Sequence, residues 1–539
     1  MSARNRTSHG RGAQRSGPYG LGTRHAAMPY RRAAATQPAP AAAIAHPAAT
    51  MAASPVNLAY DEVAGSERGN APHPLSNAEE NRRLFDYERS VKDKFAAIIP
   101  VLKEIAAIQH EPGFVEQAQN VAHARLGFAL PSSTLEDAWV EQLDMRSLYA
   151  HCVFQAFHWA AEQFCDEQAR QQVTMEQTLC SLFDCGFHEV DFSPCADGRL
   201  KGLVTFVLRL PYGAVRRKSY AGAMFDVEDN VRHWMHTEFY RYHEGKPSLP
   251  DAGTRYLKIA VYHWSSSDPA HEGCAAHGSN ERDAAEAALN RLIAFRQAIE
   301  NSFCCGASVD TLLIGVDTDT DSIKVHIPDA DGAMSLFRYV DSAELYRQST
   351  GLDVGDAHLY VHQAIQEATR AEGWAQGNGA PHEGMLRLIA SFLINNLSQI
   401  EYVRQNYGGR YADIGHNELF ISVGEGFDEI QIRNLAYYAA TYTVEEGAPD
   451  LDIGVKIFKK LNVTRGLPIP IIIHYRYDGR VPGSKQRIIA QCRRVKAAIE
   501  ARYSELKQRG LLVCAMAMQD KVRGSRIEMI NDEAADNGH

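Results

Sequence analysis

The sequence has no long hydrophobic run, and no segment approaches the roughly 20 uninterrupted apolar residues that a membrane-spanning helix needs. We therefore expect no membrane association. Cysteine is also scarce, at 10 of 539 residues, which is far below the density of a protein held together by disulfides. We expect these thiols to stay reduced in a cytoplasmic setting, where cysteines serve packing, metal binding or catalysis.

Several familiar motifs are missing or incomplete. There is no Gly-rich phosphate-binding loop, which argues against a nucleotide-driven enzyme. His233 and His236 do not belong to a His-Glu-x-x-His motif of zinc peptidases, and Pro194-Cys195 lacks the Pro-Cys-x-x-Cys pair of zinc deaminases. The acidic run that begins at Asp317 lacks the Gly and the Glu of a calcium-binding loop. These classes of site are therefore excluded.

Residues 1–75 differ in composition from the rest of the chain, because Ala, Pro, Ser, Gly and Arg dominate them. Such a segment buries too little apolar surface to offset the entropy of ordering, and we expect it to be disordered. Residues 1–60 contain seven arginines and no acidic residue, whereas the whole chain has a formal charge of −10. A basic tail on an acidic body indicates an arm that binds a partner. A solubilising tail and a transit peptide are the alternatives.

The remaining pattern predicts an α/β protein in three ordered parts. Apolar residues at helical spacing predict an N-terminal helical domain over 76–175. From 176 to 416, short apolar runs that include 203–210 and 310–316 alternate with helical segments, which indicates an α/β domain with a mainly parallel sheet. Residues 417–539 are predicted to form a second α/β domain. Ligands of such folds bind beyond the carboxyl ends of the strands.

Potential metal ligands follow two of these predicted strands. The strand over 188–194 runs into Cys195, and the strand over 258–262 runs into His263, with Cys274 eleven residues later. Two thiolates and one imidazole suit zinc, and three protein ligands leave a fourth position for water, as in catalytic zinc sites. Water bound at such a position has its pKa lowered to about 7.

A carboxylate and a guanidinium lie beside the first of these cysteines. Cys195-Ala-Asp197-Gly-Arg199 at a strand end, followed by His and Cys after a second strand, resembles the β-carbonic anhydrase site. The text YHWSSSDPAHEGCAAHGSN over 262–280, with the length and the three-part layout, is more specific. It resembles the shell carbonic anhydrases of α-type carboxysomes across essentially the whole ordered chain.

The resemblance implies a β-carbonic-anhydrase-like catalytic domain that interconverts carbon dioxide and bicarbonate. It implies one zinc ion per chain, held by Cys195, His263 and Cys274, with Asp197 and Arg199 as the catalytic dyad beside it. An ionised Asp197 close to a metal could itself bind the ion and block the site. The bidentate partner Arg199 competes for it and leaves it as a hydrogen-bond acceptor.

Two other histidines remain alternatives for the imidazole ligand. His271 has the ordinary His-x-x-Cys spacing to Cys274, and His277 follows the same cysteine by three residues. We favour His263, because it ends a strand, where a rigid element fixes ligand geometry, whereas the other two lie in a loop. His416 matches a histidine near the active site of the family, and a structural role is its alternative.

The C-terminal part repeats this pattern without its chemistry. Asp478-Gly-Arg480 can be laid over the turn of the dyad, and Arg476 then occupies the place of Cys195. A helix and a strand follow in the same order, with Met518 near the place of His263. We therefore predict a degenerate second copy of the catalytic fold that lacks zinc ligands, and the resemblance implies that it fills the place of a partner subunit.

The resemblance also implies where the protein works. It points to the carboxysome, a bacterial microcompartment within the cytoplasm, where the enzyme would supply carbon dioxide to rubisco. Rubisco or a shell protein is the expected partner of the basic arm. We expect a homo-oligomer and no nucleic-acid partner. The alternative function is a non-catalytic, zinc-stabilised assembly protein of a microcompartment.

Overall fold

The structure is a computed structural model. It describes residues 71–531, apart from 139, 171, 212, 252, 304–308, 371–378, 426–429, 441–443 and 523–524. Residues 1–70 of the predicted arm lie outside the described part. No helix within the described ranges has the length and apolar character needed to cross a bilayer.

Six helices begin the described chain. They are α1 Ala78–Ala96, α2 Ile98–Ala107, α3 Phe114–Leu126, α4 Ser132–Asp137, α5 Met145–Arg170 and α6 Gln172–Asp184. Asn77 caps α1, because its side chain accepts a hydrogen bond from the Glu80 N–H at 3.0 Å. Leu84, Val91 and Phe95 then fall on the buried face of α1 at helical spacing.

A six-stranded sheet and its covering helices follow. The elements are β1 Phe187–Pro194, β2 Arg216–Arg217, α7 Val227–His243, β3 Arg255–Trp264, α8 Glu281–Phe303, β4 Val309–Asp317, β5 Ile323–His326, β6 Tyr339–Asp341, α9 Ser342–Ser349, α10 Val354–Arg370 and α11 Glu383–Tyr407. The strand order is β2-β1-β3-β4-β5-β6. The first four strands are parallel and the last two pairings antiparallel. The predicted α/β class is confirmed.

The apolar run 203–210 is not a strand, contrary to the sequence interpretation. Leu203–Val207 form a π-helical turn, and Leu203, Val204 and Val207 join the core of the first sheet. A short apolar run has the same composition whether it is a buried strand or a buried helical turn, so periodicity alone does not separate them.

The last part contains a five-stranded sheet. Its elements are β7 Phe420–Gly424, β8 Ala436–Ala440, α12 Val444–Leu461, β9 Ile469–Tyr477, α13 Ser484–Arg502, α14 Ser504–Gln508, β10 Leu512–Asp520 and β11 Ile527–Ile530, in the strand order β11-β10-β9-β7-β8. Ile471 and Ile473 of β9 pack in the core that α12 and α13 cover, whereas Ile472 packs in the core of the N-terminal helices. The alternation of β9 therefore buries both faces of this sheet.

The N-terminal helices depend on this contact for part of their core. Phe157 of α5 is fully buried, and its ring packs against Phe420 of β7 with centroids 5.5 Å apart. Phe157→Ala should lower the free energy of unfolding by about 3–5 kcal/mol, because it removes a buried ring and leaves a cavity. Urea unfolding followed by circular dichroism measures the change.

The exposed ring of Phe239 offers a matched control, since 65% of that residue is exposed. Phe239→Ala should change the unfolding free energy by less than about 0.5 kcal/mol. Equal unfolding midpoints for the two variants would contradict the helix–sheet packing described above.

Candidate metal centre

The centre is built on a buried turn at the carboxyl end of the first sheet. β1 ends at Pro194, which pairs with Val261 of the parallel strand β3. The N–H of Cys195 donates to the Val261 carbonyl at 3.1 Å, which carries the pairing one residue past the strand. Cys195 and His263 therefore emerge from adjacent strands at the same edge of the sheet, where α/β folds bind ligands.

The structure brings Cys195, His263 and Cys274 together. One ligand atom from each lies within 4.8 Å of the others, and all three residues are buried. The two Sγ atoms are 3.9 Å apart. This group of side chains could hold a metal ion.

His263 is buried without the partners that an imidazole normally needs. It is 1% exposed, and neither ring nitrogen makes a hydrogen bond within the described part of the chain. Its Nε2 lies 3.5 Å from Oδ2 of Asp197. A buried polar group left unpaired costs about 1–3 kcal/mol, so this ring is placed for a ligand that the protein itself does not provide.

The two cysteines share their protons unequally. The hydrogen bond between the sulfurs raises the pKa of Cys195 and lowers that of Cys274, and burial adds to the rise at Cys195. The Gly222 N–H also donates to the Cys195 Sγ at 3.3 Å. Gly222 has a φ of 64°, and a Cβ there would lie 2.5 Å from Nε2 of His277, so the turn requires glycine.

The other two candidate imidazoles lie elsewhere. His271 is exposed, and its Nδ1 lies 2.9 Å from Oδ1 of Asp268. His277 is 3.1 Å from the Gly222 carbonyl through Nε2. Among the described residues, the candidate group that contains Cys195 and Cys274 includes neither of them.

Asp197 and Arg199 form a buried, bidentate ion pair. Arg199 donates to Oδ1 of Asp197 through its backbone N–H at 2.9 Å and through Nε at 3.0 Å, and to Oδ2 through Nη2 at 2.7 Å. Burial raises the pKa of Asp197, but Arg199, His416 and His263 together outweigh burial and hold it well below its usual value. Asp197 is therefore an ionised acceptor.

Arg199 is anchored by more than its carboxylate partner. Its Nη1 donates to the carbonyl of Ile414 at 2.8 Å and to the carbonyl of Glu272, and Nη2 donates to the Gly273 carbonyl at 3.3 Å. These acceptors come from the loop that precedes Cys274 and from the segment that leads to the second sheet. The guanidinium thus joins the turn after Cys195 to the loop before Cys274 and to the segment that leads into the second sheet.

His416 lies between two carboxylates. Its Nδ1 is 3.0 Å from Oε1 of Glu418, and its Nε2 is 3.9 Å from Oδ2 of Asp197. Burial lowers the pKa of His416, but attraction to Asp197 and Glu418 outweighs it and raises the pKa to about 9. These three side chains form a second group whose ligand atoms lie within 4.8 Å of one another.

The C-terminal half closes the site from the other side. The Asn434 N–H donates to the Gly198 carbonyl at 2.9 Å, and Oε1 of Glu418 accepts the Gly198 N–H at 3.1 Å. The Tyr437 hydroxyl donates to the Asp450 carbonyl at 2.9 Å, and burial raises the pKa of the Asp450 carboxyl to about 6. Sequence patterns did not identify Glu418 or Tyr437 as parts of the site, because they approach it only through the packing of one sheet against the other.

The second copy keeps the dyad and changes the strand end. Arg480 donates to Asp478 through its backbone N–H, Nε and Nη2 at 3.0, 2.9 and 2.9 Å, which repeats the pattern of Asp197 and Arg199 in an exposed setting. Tyr475 pairs with Met518, as Pro194 pairs with Val261.

Strand register corrects one detail of the sequence interpretation. The residue two positions beyond Met518 is Asp520, so Asp520, and not Met518, occupies the place of His263. A strand register cannot be read from composition when both residues fit a strand end. The Asp520 carboxylate accepts a hydrogen bond from the Gly479 N–H at 3.2 Å.

Three family models match the chain in succession. They are described as the N-terminal, catalytic and C-terminal parts of the carboxysome shell carbonic anhydrase, and they match residues 73–165, 177–416 and 417–534. The chain is 51% identical to the carboxysome shell carbonic anhydrase of Halothiobacillus neapolitanus over 461 residues, which is 85% of this chain and 90% of the relative. It is 48% identical to that of Prochlorococcus marinus strain MIT 9313 over 478 residues, 86% of this chain and 91% of the relative.

The isolated imidazole of His263 predicts its own test. His263→Ala should lower the bound metal to well below one ion per purified chain, because a two-cysteine site lacks the third ligand. His271→Ala should leave the metal content unchanged, because that ring lies outside the group. Elemental analysis by mass spectrometry measures both, and the reverse result would assign the metal to the loop histidine.

Proposed function

Because the chain belongs to the carboxysome shell carbonic anhydrase family, we propose that the metal of its reaction is zinc, held by Cys195, His263 and Cys274. The protein is a carbonic anhydrase that interconverts carbon dioxide and bicarbonate, and it resides in the carboxysome. Membership of an enzyme family favours this function over the non-catalytic assembly role. The observation that carries the zinc proposal is the meeting of two buried thiols and an unpaired buried imidazole.

The donor set fits zinc by distance and by chemistry. Zn–S bonds of about 2.3 Å at a tetrahedral angle place two sulfurs about 3.8 Å apart, and the Sγ atoms of Cys195 and Cys274 are 3.9 Å apart. Thiolate and imidazole ligands suit zinc better than they suit magnesium or calcium, which prefer oxygen. The group of Asp197, His416 and Glu418 fits less well, since Asp197 already accepts three hydrogen bonds from Arg199.

Zinc with an open fourth position lowers the pKa of bound water and so supplies a nucleophile at neutral pH. Asp197 is ionised, and its Oδ2 lies 3.5 Å from Nε2 of His263, so it would accept a hydrogen bond from a water held beside that ring. Arg199 occupies both carboxylate oxygens from the other side, and it thereby restrains Asp197 from becoming a fourth ligand. The dyad would thus orient a water held by the three ligands, with Asp197 restrained from joining the ligand set.

We propose the domain limits expected from the sequence: an arm over 1–75, helices over 76–175, the catalytic domain over 176–416 and the degenerate domain over 417–539. The succession of the three family matches supports this division. The repeated Asp-Gly-Arg turn supports a common origin of the last two domains.

We propose further that the arm attaches the enzyme to rubisco or to a shell protein, so that carbon dioxide is released close to rubisco, and that the protein is a homo-oligomer. Seven arginines without an acidic residue in 1–60 support an electrostatic attachment.

Asp197→Asn should retain zinc and lower kcat by about two to four orders of magnitude, as expected for a lost acid–base group. The amide keeps one acceptor oxygen but loses the charge that attracts Arg199. Stopped-flow hydration of carbon dioxide with a pH indicator measures the rate. Asp478→Asn, at the same position of the second copy, is the matched control and should behave as wild type. Equal rates in the two variants would make the dyad a structural ion pair.

Deletion of residues 1–70 should leave turnover unchanged, because it removes none of the proposed ligands and keeps the buried His73, which bonds Ser349 and Glu401. The truncated enzyme, expressed in a carboxysome-forming host, should be active in lysate but absent from purified carboxysomes. The binding of the full chain to its partner should weaken steeply with salt, since charges are screened over about 8 Å at physiological ionic strength. Normal amounts of truncated enzyme in carboxysomes would place the targeting signal in the ordered domains.

A further inference from the structure

Glu418 is the one side chain of the second half, among those described, whose carboxylate bonds both the turn of the dyad and His416. It lies two residues before β7 and is 2% exposed. Oε1 receives the Gly198 N–H at 3.1 Å and lies 3.0 Å from Nδ1 of His416. Oε2 is buried and makes no hydrogen bond within the described part of the chain. A buried carboxylate in this state is costly unless a cation lies beside it.

The packing at Gly198 is made for this carboxylate. A Cβ at position 198 would lie 2.4 Å from Cγ and 2.8 Å from Oε1 of Glu418. Any side chain between Asp197 and Arg199 would therefore displace Glu418 and break its bond to the turn. The glycine of the Asp-Gly-Arg sequence is thus explained by close approach and not by its backbone angles.

In the second copy, a different residue accepts the hydrogen bond from the N–H of the turn glycine. There the Gly479 N–H donates to Asp520, which comes from the neighbouring strand of the same sheet and occupies the register position of His263. In the catalytic copy, the carboxylate comes from the other half of the molecule. The strand position is then left to His263, a residue that can bind a metal.

We propose that Glu418 is a positioning residue, which holds the dyad turn at Gly198 and holds His416 as an imidazolium facing Asp197, so that His416 donates the proton consumed when bicarbonate is dehydrated. This inference rests on the proposed function and deepens it. One bicarbonate and one proton give one carbon dioxide and one water. The N–H bond at Nε2 of His416 breaks, an O–H bond of the product water forms, and solvent reprotonates the partly exposed ring.

The charges around His416 agree with this role. Asp197 and Glu418 face the ring from two elements and favour its charged form, whereas Arg199 opposes it. With Nδ1–H directed to Glu418, Nε2 is the nitrogen that faces the reaction. Removing the charge of Glu418 leaves Asp197 as the carboxylate that faces His416. Burial and Arg199 then lower the pKa of His416.

Glu418→Gln is the decisive variant, because the amide oxygen can still accept the Gly198 N–H while the charge is lost. Removing one nearby opposite charge should lower the pKa of His416 by about one unit from its value of about 9. This shift lowers the imidazolium fraction about threefold at pH 8.5 and raises the neutral fraction about tenfold near pH 7.5. Bicarbonate dehydration by the zinc-loaded full chain is measured by stopped flow from pH 6.5 to 8.5. The ratio of variant to wild-type kcat should fall about threefold across this range, with KM nearly unchanged.

A second readout does not depend on activity. Diethylpyrocarbonate acylates neutral imidazole, and peptide mass spectrometry reports the rate at His416 in zinc-loaded and metal-free protein. Glu418→Gln should accelerate this modification about tenfold near pH 7.5, as the neutral fraction rises. Bound zinc should remain at the wild-type level.

Asp520→Asn is the matched control, because it makes the same change at the corresponding turn of the second copy, and it should match wild type in both readouts. A variant-to-wild-type ratio that stays constant with pH, together with unchanged His416 modification, would overturn the proposal and leave Glu418 a structural contact. Loss of zinc from Glu418→Gln would also overturn it, since the residue would then support the metal. If wild type bound no zinc, the proposed function would fail, and the modification of metal-free protein would still test the pairing with His416.

Discussion

The ion pair between Asp197 and Arg199 is buried at the junction of the two sheets. The rest of the site depends on the hydrogen bonds that offset the cost of removing these charges from water. Removing a charged pair from water costs several kcal/mol per ion unless its remaining hydrogen-bonding groups are satisfied. Arg199 meets this demand with three bonds to Asp197 and with carbonyl acceptors from the loop before Cys274 and from Ile414. The pair therefore ties the turn after Cys195 to the loop before Cys274 and to the segment that leads into the second sheet.

This constraint gives the second copy a structural role, although no group of two cysteines and a histidine lies within its described residues. It supplies the Asn434 N–H and the Glu418 carboxylate that satisfy both backbone groups of Gly198. Its own Asp478 and Arg480 keep the same bonds while exposed to solvent, where an ion pair contributes little. The same turn is thus a buried part of the candidate site in one copy and a surface feature in the other.

The helical domain contributes to the site indirectly. Its core is continuous with one face of the second sheet through contacts such as Phe157 with Phe420. The other face of that sheet is covered by α12 and α13. Buried on both faces, the sheet is a rigid support for Glu418 and Asn434, which bond the turn of the dyad.

The sequence by itself determined those parts of the site that depend on neighbours in the chain. Cys195, Asp197 and Arg199 lie within five consecutive residues at the end of an apolar strand, so their proximity follows from one short turn. The preference for His263 over His271 followed from its place at a strand end, where a rigid element fixes ligand geometry. The repeat of Asp-Gly-Arg at 478–480 is visible in the sequence. The helical, α/β and second α/β parts followed from apolar spacing, because periodicity reflects which face of an element is buried.

Only the tertiary structure decided the contacts that cross between sheets. The π-helical turn at Leu203–Val207 shares its composition with a strand. The register that places Asp520 at the position equivalent to His263 depends on a two-residue shift that composition does not encode. Glu418 lies 220 residues from Gly198 in the chain. Its hydrogen bond to the Gly198 N–H arises from how the two sheets pack. Local patterns specify helices and strands. Contacts between distant polar groups arise because every polar group that packing buries needs a hydrogen-bond partner.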